Sequence, residues 1–276
     1  MKKSLFLAVI LIIGVLGYSL NISVSIYPYY LVLKDIVSNE DQINIIVPAG
    51  KSPHTYSVSS KDLIKIYKSD LVIFNGLNSE VFLNKVITNI KKKNISYIFA
   101  GEVIPEDMII GSNPHIWLDP ELMYKYIIPE ITNKLILLNP EKKELYSENS
   151  KKLIKKLELM DEYLKIKSSE INGSIITFHN SFPYFARHYN IKIAGVIEKS
   201  PGVEPSIADM KKLYDSARKN NIKGVFSEPQ LNQKIAEKVA RTLKVNLGML
   251  DPLGNSFNSI DELYLINFLN ILNTIR

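Results

Sequence analysis

Several residue types are scarce or missing in this chain, and each shortage removes a class of chemistry. There is no cysteine, which excludes disulfides, thiolate catalysis, iron–sulfur clusters and cysteine-ligated zinc. The excess of positive over negative charge is also small: 34 Lys and Arg against 28 Asp and Glu leave a formal charge of +6. This excess is too scattered along the chain to indicate a nucleic-acid partner. The 276 residues include four histidines and one tryptophan, with no HExxH or HxH motif. Any histidine-based metal site must therefore be assembled from distant parts of the chain.

The N-terminus carries a long apolar run. Two lysines precede the segment from Leu5 to Leu16, and the apolar character extends to Leu20. This order is typical of a secretory signal, and the run is close to the length of a membrane-spanning helix. We therefore predict that residues 1–20 form a cleaved signal peptide or an uncleaved N-terminal anchor. In either case the folded part is expected to be extracytoplasmic, in the periplasm or on the outer cell surface.

The rest of the chain alternates short apolar runs with amphipathic helical patterns. In the first half, strands are predicted at 22–26, 43–47, 71–75 and 96–99, with helices at 30–38, 59–68 and 81–92. The second half repeats this rhythm, with strands at 174–178, 191–194, 224–227 and 245–247 and helices at 182–189, 206–220, 232–243 and 259–275. Strands that alternate with helices of about ten residues indicate βαβ units and parallel sheets. The predicted fold class is α/β, with two lobes.

A lysine-rich stretch separates the two halves. Its apolar residues Leu153, Leu157, Met160 and Leu164 recur on one helical face. A helix over 140–167 would be about 39 Å long at 1.5 Å per residue, the length of a strut between two lobes. The predicted segments are the leader at 1–20, the N-terminal lobe at 21–139, the linking helix at 140–168 and the C-terminal lobe at 169–276.

Three histidines and one aspartate stand in loops where ligands bind. His54 follows the second predicted strand, His179 follows the strand at 174–178, and Asp251 follows the last predicted strand. His115 lies in the segment NPHIWLDP, which carries the single tryptophan. In open α/β sheets, ligands bind outside the carboxyl ends of the strands. Three imidazoles and one carboxylate suit Zn²⁺, with Mn²⁺ possible where oxygen donors increase.

Other polar residues are candidates to support these ligands. A ligating histidine needs an acceptor on its other ring nitrogen, and Glu228, Asn180 and Asp119 could supply one. Glu228 could alternatively cap the turn that follows it. His188 falls in a predicted helix and is expected to be an ordinary surface histidine.

Eight segments of the chain carry a resemblance to a known family. They are SIYPYY (25–30), VPAGKSPHTYSVSSKDL (47–63), SDLVIFNG (69–76), NPHIWLDP (113–120), FHNSFPYFARHYNI (178–191), PGVEPSIADMKKL (201–213), FSEPQLN (226–232) and LDPLG (250–254). Taken in this order over 24–276, they resemble the zinc- and manganese-binding solute-binding proteins of ABC transporters, the cluster A-I family. Within that family, the chain is most similar to the high-affinity zinc-uptake type.

The resemblance implies both an architecture and a function. It implies two (βα) lobes joined by one long rigid helix, with a metal held in the cleft by His54, His115, His179 and Asp251. A third imidazole at His179 is similar to the zinc-type site, since manganese-type members tend to have Glu there. The implied function is extracytoplasmic capture of Zn²⁺, or of Mn²⁺, and its delivery to a membrane permease with its ATPase. A monomer without enzymatic activity is expected.

Two alternatives remain open at this point. A metal-dependent hydrolase could use the same three histidines, provided that a coordination position stays open for water and Glu228 serves as the base. A surface adhesin could use the metal to stabilise its fold, but the sequence contains no repeats or low-complexity stalk that would indicate one.

Overall fold

The computed structural model describes residues 18–199 and 202–276, so the predicted leader lies outside the described residues except for its last three. Of those three, Leu20 is buried in the apolar core. Within the described ranges, no helix is long and apolar enough to cross a membrane. The fold consists of two four-stranded sheets whose paired strands are all parallel. The predicted α/β class with two lobes is confirmed.

The N-terminal lobe contains the first sheet, in the order β2-β1-β3-β4. Its strands are β1 (Asn21–Val24), β2 (Gln42–Ile45), β3 (Leu71–Phe74) and β4 (Ser96–Phe99). Its helices are α1 (Tyr27–Ile36), α2 (Ser60–Tyr67), α3 (Leu83–Lys92), α4 (Ala100–Val103), α5 (Pro120–Leu122) and α6 (Ile128–Leu138). All four residues of β3 are buried, as expected for a parallel strand covered on both faces.

A single long helix, α7 (Lys143–Lys167), follows the N-terminal lobe and continues at each end into a short 3₁₀ turn. The predicted apolar face is present, because Leu153, Leu157 and Leu164 are buried. Helix α7 packs against α1 and α6 of the first lobe and against the last helix of the second lobe. It is therefore a connector that contacts both lobes along its length.

The C-terminal lobe contains the second sheet, in the order β6-β5-β7-β8. Its strands are β5 (Ser174–His179), β6 (Lys192–Glu198), β7 (Ile222–Ser227) and β8 (Asn246–Met249). Its helices are α8 (Pro183–His188), α9 (Ile207–Lys219), α10 (Gln233–Leu243) and α11 (Ile260–Ile275). Helix α9 begins with a capping box in which Ser206 and Asp209 bond to each other's backbone N–H.

The structure differs from the sequence-based expectation in two places. Strand β5 includes His179, which was expected just after the strand, and β6 extends to Glu198. The segment between β4 and α7 had no predicted element, yet it contains helices and a π-helical turn at Met123–Ile127. Apart from α6, which has 11 residues, these elements are short, so they do not maintain the 3.6-residue period on which helix prediction depends.

One large apolar cluster holds the lobes and the connecting helix together. It includes Val24 from the first sheet, Leu157 from α7 and Phe268 from α11. Direct hydrogen bonds add to this packing: the Trp117 indole N–H donates to the carbonyl of Pro252 at 2.7 Å, and the Tyr264 hydroxyl donates to the carbonyl of Trp117 at 2.8 Å. The carboxyl ends of the two sheets are thus fixed close to each other.

Candidate metal centre

Three of the four histidines converge between the lobes. The Nε2 atom of His115 lies 3.2 Å from Nε2 of His54 and 3.1 Å from Nε2 of His179. One potential ligand atom from each of these three residues lies within 4.8 Å of the other two. His115 and His179 are buried and His54 is half-buried. The predicted convergence of these side chains is therefore present in the fold.

Each histidine reaches the centre from a different part of the chain. His54 comes from the loop after β2, and His115 directly precedes a 3₁₀ turn, Ile116–Leu118. His179 is the last residue of β5, the strand that lies second in its sheet. Two of the three histidines thus belong to the N-terminal lobe and one to the C-terminal lobe, so the cluster depends on the two lobes being together.

Acceptors on the far side of two rings fix which nitrogen faces the centre. Nδ1 of His115 lies 3.0 Å from Oδ1 of Asn113, and Nδ1 of His179 lies 2.7 Å from Oε1 of Glu228. An amide or carboxylate oxygen can only accept, so each Nδ1 carries the proton and each Nε2 presents a lone pair. This is the tautomer that a metal requires.

Burial keeps two of the three imidazoles in their neutral form. It lowers the pKa of His54 to about 4, and the nearby ring of His179 adds to the effect. Burial also holds the pKa of His115 well below the ordinary value for histidine, with both neighbouring rings contributing. A neutral imidazole is the form that binds a metal ion, so His54 and His115 can accept an ion at neutral pH without first losing protons.

The spacing of the nitrogens fits a metal ion. Two lone pairs that face each other at 3.1 Å repel unless a cation lies between them. Nitrogens that bind one tetrahedral Zn²⁺ at 2.0–2.1 Å are about 3.3 Å apart, close to both separations seen here. A small cavity of about 20 Å³ adjoins the three rings, which is room for a single ion or water.

Further hydrogen bonds hold the supporting residues in place. The Asn113 side chain, besides accepting from His115, donates to the backbone carbonyl of Asn180 at 2.7 Å. Glu228 Oε1 also accepts from the backbone N–H of His179 at 3.3 Å and from the Ser181 hydroxyl at 3.1 Å. Glu228 is thus placed to orient His179, whereas Asn180 acts through its backbone on Asn113. The sequence did not single out Asn113, although it stands two residues before His115.

The remaining predicted site residues lie outside this cluster. The Oδ1 atom of Asp251 accepts from the side-chain amide of Gln230 at 2.8 Å and from the backbone N–H of Leu253 at 3.0 Å. Within the described ranges, the group of acidic and histidine side chains close enough to share an ion contains the three histidines and not Asp251. The role of Asp251 as a direct ligand therefore stays a prediction.

The expectation that His188 is a surface residue is wrong. Its side chain is 5% exposed and lies between two carboxylates, with Nδ1 at 3.1 Å from Asp119 and Nε2 at 2.7 Å from Asp161. Burial alone would lower the pKa of His188, but the hydrogen bonds to both carboxylates outweigh it and raise this pKa to about 9. Asp119, predicted to support a metal ligand, instead contacts His188 and caps α5.

Two α/β lobes bridged by one long helix, with three imidazoles converging between them, define a two-lobed metal-binding protein. The chain belongs to the family described as ZnuA, zinc-uptake complex component A, periplasmic, which matches residues 22–276.

Individual relatives extend this finding. The chain is 27% identical over 256 residues to the high-affinity zinc uptake system protein ZnuA of Bacillus subtilis, covering 86% of this chain and 79% of that protein. It is 32% identical over 228 residues to a metal ABC transporter substrate-binding lipoprotein of Lactococcus lactis, covering 76% and 72% of the two chains. A crystal structure of ZnuA superposes with a TM-score of 0.81 at 27% identity, covering 94% of this chain and all of that one.

Proposed function

We propose that this protein captures Zn²⁺ outside the cytoplasm with His54, His115 and His179 and delivers it to a membrane permease with its ATPase. The observation that carries this proposal is the convergence of three Nε2 atoms at 3.1 and 3.2 Å. The family and the two relatives support uptake as the purpose of binding.

The donor set favours Zn²⁺ over Mn²⁺. Imidazole nitrogen suits zinc, whereas manganese prefers carboxylate, carbonyl and water oxygens. All three clustered donors are nitrogens, and the charged carboxylate of Glu228 bonds to a ring nitrogen of His179. We expect Mn²⁺ to bind the same site more weakly than Zn²⁺.

The arrangement of the lobes suggests how an ion would be released. We propose the boundaries 21–139 and 169–276 for the two metal-binding lobes and 140–168 for the helix between them. Because α7 packs along both lobes, a wide hinge motion is disfavoured. A small displacement of one ligand-bearing loop would be sufficient to open the site.

Transport also implies a location and an assembly. We propose that the leader predicted at residues 1–20 directs the chain out of the cytoplasm as a signal peptide or holds it there as an N-terminal anchor, with Leu20 at its end packed into the folded lobe. We also propose that the protein acts as a monomer, since the cluster of three histidines is formed within a single chain and needs no residue from a second copy. The relatives' roles in ABC uptake systems support a permease as the receiving partner.

A hydrolase built on the same histidines fits the geometry less well. Such an enzyme needs a general base that is free to take a proton from bound water. Glu228, the candidate base, already accepts three hydrogen bonds on its Oε1 atom from His179 and Ser181. We therefore assign it the role of orienting His179 for binding.

Competitive titration of the chelator-stripped full chain with Zn²⁺ and Mn²⁺, beside the variant His179→Ala, tests the proposal. We expect one tight Zn²⁺ site, weaker Mn²⁺ binding and loss of tight binding in the variant. Equal or tighter binding of Mn²⁺ would reassign the cargo to manganese. Zn²⁺ binding no tighter than millimolar in the unaltered chain would refute the proposal.

A further inference from the structure

A buried oxygen without a partner lies beside the three histidines. Gln230 lines the small cavity together with His54, His115 and His179. Its side-chain Oε1 atom is buried and has no hydrogen-bond partner among the described residues. Leaving a buried carbonyl oxygen unsatisfied costs about 1–3 kcal/mol. Gln230 therefore brings to the lining of this cavity an oxygen that has no partner among the described residues.

Asp251 determines which way the Gln230 amide faces. The amide nitrogen of Gln230 lies 2.8 Å from Oδ1 of Asp251. An ionised carboxylate only accepts hydrogen bonds, so the NH₂ group must face it and Oε1 must point elsewhere. Asp251 is itself fixed, because its Oδ1 accepts from Leu253 and its backbone N–H donates to the side chain of Asn267. The orientation of the amide is thus imposed and not a matter of free rotation.

The same construction is found behind two of the histidines. Asn113 accepts from the far nitrogen of His115, and Glu228 accepts from the far nitrogen of His179. In each case an oxygen accepts a hydrogen bond from Nδ1 of the ring, and Nε2 on the opposite side of the ring stays free for an ion. This is the usual arrangement around metal-binding histidines. Asp251 stands behind the amide of Gln230 in the same relation.

We propose, building on the function proposed above, that Gln230 Oε1 is the fourth donor to the captured ion and that Asp251 is the positioning residue that orients it. Amide oxygens are ligands of Ca²⁺ in proteins, and Zn²⁺ also accepts oxygen donors beside imidazole nitrogens. The four donors would then be neutral, and negative charge would be supplied one layer further out by Glu228 and Asp251. Hydrogen bonding to Asp251 polarises the amide and makes its oxygen a better donor.

Two substitutions separate this arrangement from one in which Asp251 binds the ion directly. Gln230→Met keeps the side-chain length and removes the oxygen, and we expect the Kd of the full chain for Zn²⁺ to rise about 10–100-fold. Asp251→Asn keeps an oxygen that can accept from Gln230 and Leu253, so we expect a loss of only about twofold to fivefold. If the carboxylate were itself the ligand, Asp251→Asn would have the larger effect.

Binding is measured by competition with a chelator of known affinity, and urea unfolding of the metal-free variants checks their fold. Gln233→Met, at an exposed position on α10, is the matched control and should leave the Kd unchanged. A crystal structure of the zinc-loaded full chain supplies an independent measurement, with Oε1 expected at about 2.0–2.2 Å from the ion. An unchanged Kd in Gln230→Met, or Asp251 in direct contact with the ion, would overturn this inference alone. The absence of tight binding in the unaltered chain would overturn the proposed function as well.

Discussion

The four histidines of the chain occupy two buried environments with opposite effects on their charge. At the metal centre, burial lowers the pKa of His54 to about 4 and holds that of His115 well below its ordinary value. His188 is equally hidden from solvent but lies between Asp119 and Asp161, and its pKa rises to about 9. Burial by itself therefore does not decide the protonation state.

The difference lies in what faces both nitrogens of each ring. His188 has a carboxylate on each side, so both of its nitrogens donate and none is left to bind a metal. His115 has an amide oxygen on one side and other imidazole nitrogens on the other. Thus the imidazoles of the metal centre are arranged to accept a cation, whereas His188 is itself the cation of a structural network.

The largest effect should come from removing a metal ligand. His115→Ala is expected to weaken Zn²⁺ binding by at least about a thousandfold, or ~4 kcal/mol, because even the residues behind ligands cost 10–100-fold when lost. The measurement is competition titration with a chelator of known affinity. His188→Gln is the control and should bind Zn²⁺ nearly as well as the unaltered chain. A similar loss of Zn²⁺ affinity in His115→Ala and His188→Gln would contradict the distinction between the metal centre and the surroundings of His188.

The same control variant should show the reverse pattern in stability. Replacing His188 by Gln leaves Asp119 and Asp161 buried without their cation, and we expect the free energy of unfolding to fall by about 3 kcal/mol. Urea unfolding of the metal-free chain at pH 7 measures it. Lys167→Gln, which removes an exposed ion pair with Glu170, should change little and serves as the comparison. A stable His188→Gln variant would contradict the structural role.

The stabilisation by His188 should depend on pH. Its pKa is about 9 in the folded protein and about 6.5 in an unfolded chain, so the folded state binds the proton more tightly. The contribution is fully present below about pH 6.5 and is lost as pH rises through 9, a change of about 3 kcal/mol. The difference in unfolding free energy between the unaltered chain and His188→Gln should therefore shrink from pH 6 to pH 9.5. A constant difference would show that the imidazolium is not what stabilises the network.

A smaller effect than these should come from replacing the acceptor behind His179. Glu228→Gln keeps an oxygen toward Nδ1 of His179 but removes its charge, and we expect Zn²⁺ binding to weaken about fivefold, or ~1 kcal/mol. Glu237→Gln, at an exposed position on α10, is the matched control in the same titration. An unchanged Kd for Zn²⁺ in Glu228→Gln would mean that the hydrogen bond to an oxygen at this position holds the ring of His179 and that the charge of the carboxylate is not needed.

The positions of two of the clustered histidines could be predicted because they depend on chain order. In an α/β fold, ligand-binding residues stand at the carboxyl ends of parallel strands, and this places His54 at that end of the first sheet and His179 at that end of the second without any knowledge of contacts. The apolar face of α7 could be predicted equally well, because its leucines repeat with the period of a helix.

What the sequence could not supply was which neighbours face each side chain. His188 occupies an unremarkable helical position, and its partner Asp161 stands on a different helix 27 residues away. Asp251 and Gln230 both follow strands of the same sheet, 21 residues apart. Their order along the chain does not reveal that one bonds to the other while an oxygen of Gln230 stays unpaired.

The placement of the single tryptophan gives the protein a built-in optical reporter. The ring of Trp117 lies 5.1 Å from the ring of His115 and is buried, while its N–H reaches Pro252 in the other lobe. Its fluorescence is therefore expected to respond both to an ion that binds at His115, as proposed, and to the contact between the lobes. Capture and release can be followed in real time on the unlabelled chain, with a paramagnetic ion such as Co²⁺ quenching the emission and Zn²⁺ leaving it bright.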